Sequence, residues 1–332
     1  MKRLAVVGAG SWGTALAIAL ASRFPDIRLW VREPARAAEI SRYRENSRYL
    51  PGFQLPSSVS VSSEIGDVVN AVDVVLAVVP SAHMRAVLES MCPHVRRETR
   101  LISAAKGIEE DSLCRMSEVM RKVMTGSSSA PVTVLSGPTF AKEIAAGEPA
   151  ALVIASEDIT VATDMQQALS TIALRFYTST DVTGVEIGAA LKNVIAIGAG
   201  LCQGLGLGSN SIAALVTRGL AEITRLAVAM GGNPRTLSGL AGLGDLVLTA
   251  TGDLSRNRSV GRRLGEGHKL DRILAGMTMI AEGVGTCRAG YRLGRQYNVD
   301  LPIVNKMYEI LYEGKAPREA IRELMERPLT SE

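Results

Sequence analysis

Aromatic residues are scarce in this chain, 4% of 332 residues, with two tryptophans, four phenylalanines and seven tyrosines. A core built under that limit is aliphatic, and the 47% hydrophobic content is enough for a large one. Cysteine is sparse as well. Cys92, Cys114, Cys202 and Cys287 stand apart with no CxxC or Cys/His spacing, and the three histidines do not pair. That excludes a metal site of recognisable spacing and leaves free thiols in a reducing cytoplasm as the expected state. A net charge of +4 is too mild to draw the whole surface to nucleic acid or a membrane, so either role would need a concentrated patch. The one candidate patch, Arg256, Arg258, Arg262 and Arg263, has no interleaved aromatic residue, so single-strand stacking is not supported. Repeats are lacking too, and the only linker-like stretch is Thr125 to Ala130.

What is present begins at the first turn. Gly8-Ala9-Gly10-Ser11-Trp12-Gly13 follows the apolar run Leu4 to Val7 and opens the run Thr14 to Ala21, which reads as strand, tight turn and helix. In GxGxxG spacing the first glycine turns the chain, the second lets a pyrophosphate reach backbone N–H groups, and the third lets helix and strand pack closely. Lys2 and Arg3 ahead of an uncharged stretch reaching to Arg23 superficially match a secretory signal or membrane anchor. The glycines argue against it, since each would weaken a helix there by about 1 kcal/mol relative to alanine. A cytoplasmic protein not integral to the membrane is expected.

The next segments alternate between strand and helix. Strand-like runs are Ile27 to Val31, Val59 to Val61, Asp73 to Val79, Arg100 to Ala104, Val132 to Leu135, Ala150 to Ile154 and Arg175 to Thr178, with helices at Pro34 to Tyr43 and Ile159 to Leu169. Ligands of an open parallel sheet sit beyond the carboxyl ends of its strands. The residues that follow the strands are therefore site candidates: Pro80 to His83, Lys106, and the turn Ser136 to Ala141, in which Thr139 can cap the next helix. At the end of the second strand Arg32 precedes Glu33, an order that favours the 2′-phosphate of NADP(H) over the free ribose of NAD(H), with NAD(H) as the alternative. His83 is read as a capping or surface residue ahead of a catalytic base.

From about Thr183 strands disappear and helical spacing takes over, which predicts an α/β Rossmann-type domain over 1–182 and an all-α domain over 183–332. Lys192 is the only charged residue between Glu186 and Arg218. Burial would lower its pKa toward neutrality and fit it for acid–base work, whereas a snorkelling lysine would keep its head in water. Farther on, a glycine-rich turn presents Asp245, and Ser255 or Asp253 caps a helix beginning near Arg256 and Asn257. Backbone N–H groups and arginines pointing to one place make an anion site suited to a phosphoryl group. Glu282, in a Gly-flanked turn after Ile280, either touches a cofactor amide or caps Thr286.

Taken together, Gly8 to Gly13 with Trp12, Val79-Pro80-Ser81, Ala105-Lys106-Gly107, Ser136-Gly137-Pro138, Leu191-Lys192-Asn193, Gly242 to Leu246 and Ser255-Arg256-Asn257 resemble the bacterial NAD(P)-dependent glycerol-3-phosphate dehydrogenases over essentially the whole chain. The resemblance implies reversible reduction of dihydroxyacetone phosphate to sn-glycerol 3-phosphate, the backbone for glycerophospholipids, by a homodimer that needs no metal and no nucleic acid. It implies Lys192 as the proton donor and acceptor. It further implies that Lys106, Gly137, Thr139, Lys192, Asp245, Ser255, Arg256 and Asn257 hold substrate. Gly8, Gly10, Ser11, Trp12, Gly13, Arg32, Lys106, Ala141, Arg256, Ile280 and Glu282 would line the cofactor site. Ala189 and Gln203 depart from the pattern, where glycine and an acid are usual, and bear on helix packing or subunit contacts rather than on chemistry.

Overall fold

The structure, a computed structural model, describes residues 1–125 and 131–329, so nearly all of the linker-like stretch lies outside the described residues. Among the described residues eight strands form one sheet: β1 (Arg3–Val7), β2 (Asp26–Trp30), β3 (Val59–Ser62), β4 (Val74–Ala77), β5 (Arg100–Ser103), β6 (Thr133–Ser136), β7 (Ala150–Ser156) and β8 (Leu174–Ser179). Their order is β3-β2-β1-β4-β5-β6-β7-β8. Neighbours run parallel except β6 and β7, which pair antiparallel with Leu135 opposite Ile154. The order doubles back between β1 and β4, the switch point of a doubly wound, Rossmann-type sheet, where a ligand crevice is expected.

Each face of the sheet carries its own aliphatic core. Leu4, Val6 and Leu29 pack with Leu16, Leu20 and Phe24 on one side. Ala5, Val7 and Val75 pack with Met84, Leu88 and Met91 on the other. Strands covered on both faces read as unbroken β-branched runs, as Val74 and Val75 do.

After β8 the described chain is helical. Asp181 caps the first of these helices, Val182–Gly204, by accepting from Gly184 N at 2.8 Å. Among the described residues this helix alone is long and apolar enough to cross a membrane, yet the whole of its apolar stretch is buried inside the fold. It is the axis of a third core, in which Leu191, Ile195 and Ile197 meet Leu226, Leu246 and Val304. The helix Arg256–Gly265 lies against it backbone to backbone: a Cβ added at Gly200 would sit 1.9 Å from Arg258 O, and one at Gly261 would sit 1.8 Å from Ile197 O. Only glycine permits that approach.

Candidate active site

The glycine turn fills the crevice at the switch point. Gly8 has φ +117°, and a Cβ there would fall 2.7 Å from Val78 O, while one on Gly13 would fall 1.9 Å from Gly8 O. Those two glycines are fixed by packing. Around the missing Cβ of Gly10, by contrast, no atom of the described residues lies within 4 Å. The helix Ser11–Ala19 starts at this opening with no side-chain cap, and the buried indole N–H of Trp12 has no partner among the described residues. An uncapped helix N-terminus beside open space, with a spare donor, fits the pyrophosphate of a dinucleotide.

From this turn a cleft of about 680 Å³ runs both ways. Arg32 and Tyr49 line one end; Lys106, Lys192, Ser255, Arg256 and Glu282 line the other. A larger cavity, about 980 Å³, lies across the segment Met277 to Ala281 and is lined by Arg85, Glu89 and Glu109. It touches neither the glycine turn nor the lysines, which meet in the smaller space.

At the inner end of the cleft, three elements bring charges together. Lys106 follows β5, Lys192 sits midway along Val182–Gly204, and Asp245 opens the helix Asp245–Thr251. Lys106 Nζ donates to Asp245 Oδ2 and Gly137 O, both at 2.9 Å, and to Thr139 Oγ1 at 3.4 Å. Lys192 Nζ donates to the other Asp245 oxygen and to Thr249 Oγ1 at 2.7 Å. Thr249 passes its own proton to Asp245 O at 2.6 Å, so its hydroxyl is used as both acceptor and donor. Two ammonium groups thus share one carboxylate that is 1% exposed. Burial pushes the Lys192 pKa down to about 7; Asp245 opposes the fall and the neighbouring Lys106 adds to it.

The sequence candidates divide into those that face the cleft and those behind it. Gly8, Gly10, Ser11, Trp12, Arg32, Lys106, Thr139, Ala141, Lys192, Ser255, Arg256, Asn257, Ile280 and Glu282 all line it. Gly13 and Gly137 are packed behind, the latter at φ +143° with its carbonyl taken by Lys106. Asp245 is wholly buried beneath the lysines, so it acts on them rather than facing the open cleft.

Several local expectations are corrected. Thr139 does not cap the helix Ala141–Ala145: Phe140 holds that position, and the Thr139 hydroxyl instead bonds Gly137 O at 3.2 Å. Ser255 rather than Asp253 caps Arg256–Gly265, accepting from Arg258 N, because Asp253 pairs with the Arg258 side chain. The arginine patch splits: Arg258 goes to Asp253 and Arg262 faces Glu266, leaving Arg256 alone of the four on the cleft wall, where it donates to Ile280 O at 3.0 Å. Helical geometry sends those side chains to different faces. Glu282 accepts from Ser81 N at 3.1 Å and does not cap Thr286, whose buried hydroxyl has no partner among the described residues. His83 is exposed on the helix Ser81–Met91 at the cleft wall, and the lysine cluster is built without it.

Comparison with known proteins bears directly on this arrangement. The family model for the N-terminus of NAD-dependent glycerol-3-phosphate dehydrogenase matches residues 3–162, and that for the C-terminus matches 181–322. The chain belongs to the NAD-dependent glycerol-3-phosphate dehydrogenase family. It is 51% identical to the NAD(P)+ glycerol-3-phosphate dehydrogenase of Koribacter versatilis over 334 residues, covering 100% of this chain and 99% of that one. The Geobacter sulfurreducens enzyme of the same name is 48% identical, with 100% and 99% covered. The crystal structure of glycerol-3-phosphate dehydrogenase from Coxiella burnetii superposes with a TM-score of 0.94 at 37% identity, covering 98% and 99%. A ketopantoate reductase structure from Ralstonia eutropha reaches 0.60 at 17% identity, a likeness of fold alone.

Within this dehydrogenase cleft, two residues escaped the sequence reading of individual roles. Thr249 lies four residues after Asp245, one helical turn, so the spacing carried the signal. Asn193 donates to Lys106 O at 3.1 Å and accepts from Asn257 Nδ2 at 2.9 Å, while Asn257 Oδ1 takes Gly283 N at 3.0 Å. Both asparagines therefore tie the Lys106 loop, the lysine helix, the arginine helix and the helix Glu282–Gln296 together, a contact set invisible in sequence.

Proposed function

We propose that the cleft holds NAD(P)H and dihydroxyacetone phosphate side by side and that the chain interconverts this ketone with sn-glycerol 3-phosphate, supplying the backbone of glycerophospholipids. The observation that carries the reading is Lys192, a buried amine near neutral pKa on the cleft wall, beside an arginine on a capped helix N-terminus. The nicotinamide cofactor, when bound, supplies hydride to the carbonyl carbon.

The remaining steps are those of the chain's own residues. Lys192 Nζ gives its proton to the carbonyl oxygen as negative charge grows there, and takes it back in the oxidation. Asp245 and Thr249 aim Nζ, and the charge of Lys106 steadies the developing alkoxide. Arg256, with the N–H groups at the Ser255 cap, grips the phosphate. Binding energy gained there positions a carbonyl several bonds away. Gly137 and Thr139 hold Lys106 in line, and Asn257 fixes the arginine helix to the lysine helix. The glycine turn, Trp12, Arg32, Ala141, Ile280 and Glu282 hold the cofactor, with NADP(H) preferred.

The same reading takes residues 1–182 as the nucleotide domain and 183–332 as the substrate and catalytic domain. The active species is a cytoplasmic homodimer, neither integral to a membrane nor bound to nucleic acid. Following the absorbance of NADPH and NADH with dihydroxyacetone phosphate tests the activity. Lys192→Met should keep nucleotide binding and lose turnover by roughly 10²–10⁴-fold; near-normal turnover would remove Lys192 from the chemistry.

A further inference from the structure

The outer end of the cleft carries an arginine that neither the motif order nor the catalytic reading uses. Beyond the glycine turn the cleft passes the end of β2, where Trp30, Val31, Arg32 and Glu33 line it. Residues at that place read the ribose 2′ position of a bound dinucleotide. Arg32 and Glu33 nearly cancel there: their charged atoms lie 4.0 Å apart, with side chains 70% and 49% exposed. Among the described residues neither has a buried ion-pair partner.

Arg36, one turn into the helix Pro34–Tyr43, lines the same end. Its partners are an amide oxygen and a ring rather than a carboxylate: Nη2 donates to Asn46 Oδ1 at 3.0 Å, and the guanidinium lies 4.9 Å from the Tyr49 ring centre. Asn46 is completely buried, and its Nδ2 donates to Ala9 O and to Thr14 Oγ1, both at 2.8 Å. Ala9 belongs to the glycine turn itself. Arg36 is therefore registered against the turn through one fully satisfied side chain, and no carboxylate among the described residues pairs with its charge. A planar, preorganised guanidinium of that kind suits a phosphate monoester.

We infer that Arg36, positioned by Asn46 and Tyr49, is the residue that selects an adenosine carrying a 2′-phosphate, more than Arg32 does. This rests on the cleft being a dinucleotide site, so the test uses ligands that need no turnover. Calorimetric titration of the full chain with 2′,5′-ADP and with 5′-AMP is carried out for the wild type, Arg36→Gln, Arg36→Lys and Arg32→Gln. Arg36→Gln should weaken 2′,5′-ADP by roughly 10- to 100-fold, the range of a charge-assisted hydrogen bond, and 5′-AMP by at least ten times less. Arg36→Lys should recover part of the loss, and the kcat/KM ratio of NADPH to NADH should follow the same order. An equal loss for both nucleotides would make Arg36 a brace for the 46–51 segment and overturn the inference, as would a larger loss of selectivity in Arg32→Gln. A wild type that binds neither nucleotide would overturn the dinucleotide reading with it, whereas one that binds both, with an unselective Arg36→Gln, overturns Arg36 alone.

Discussion

Replacing Asp245 by asparagine tests the role proposed for Lys192 as proton donor. The carboxylate is 1% exposed and, among the described residues, is the only anion bonded to Lys106 and Lys192, one oxygen for each. In Asp245→Asn one lysine still finds a carbonyl oxygen, and the other meets an NH2 group that can only donate. The buried Lys192 ammonium and the half-buried Lys106 ammonium then face each other without that counter-charge, and removing one member of a fully buried pair costs about 3–5 kcal/mol, an upper bound here. The chain relieves it by releasing a proton from Lys192, whose pKa of about 7 already reflects burial opposed by Asp245. Losing the opposing attraction lowers that pKa further. With Lys192 as the proposed donor, reduction of dihydroxyacetone phosphate needs the protonated amine, so in the wild type kcat/KM should fall as pH rises through about 7. In Asp245→Asn the same fall should come at lower pH, and the rising limb of glycerol 3-phosphate oxidation, which needs the neutral amine, should move down with it. The assay is kcat/KM for the phosphorylated substrate against pH in both directions at saturating cofactor, alongside thermal unfolding. A limb left at the wild-type position in a folded Asp245→Asn would refute the electrostatic account of Lys192.

Two more expectations concern substrate grip and folding. Arg256→Ala should raise KM for dihydroxyacetone phosphate by roughly 10- to 100-fold, the loss expected for a charge-assisted contact, with a smaller effect on kcat; unchanged affinity would place the phosphate elsewhere. Glu222, buried and accepting Ile303 N at 2.7 Å and Val304 N at 3.2 Å, has its carboxyl pushed up to about 7 by burial, which those two bonds oppose. The folded chain thus holds this proton more tightly than the unfolded one, so its contribution is full below the unfolded carboxyl pKa and is lost as pH rises through about 7. Denaturant unfolding at pH 5 and pH 8 should therefore show a smaller drop for Glu222→Gln than for the wild type, and parallel drops would count against it.

The sequence was legible where local chemistry is specific. The helices Pro34–Tyr43 and Ile159–Leu169 fall where periodicity put them, and all eight strands lie within a residue or two of the apolar runs. The direction of β7 was not legible, because a strand buried on both faces looks alike run either way. Lys192 stood out because an isolated charge in an apolar helix has few reasons to exist. Its partner arrangement did not, since Lys106 comes from the loop after β5 and Asp245 and Thr249 from the helix Asp245–Thr251, both far away in the chain. The arginine patch misled for the same reason: four arginines close in sequence are turned to different faces by the helix that carries them, and two meet acids of their own.

The backbone contact between the lysine helix and the arginine helix works as a caliper. Lys192 and Arg256 stand on two rods touching at Gly200, Gly204 and Gly261, where even a methyl group would collide with a carbonyl or with backbone. The jaw opening is set by main-chain atoms and so is nearly immune to changes in surrounding side chains. If Lys192 and Arg256 grip the two ends of a short phosphorylated carbon skeleton as proposed, the chain can drift widely in sequence and still measure the same length. To accept a longer skeleton, it would have to give up a glycine.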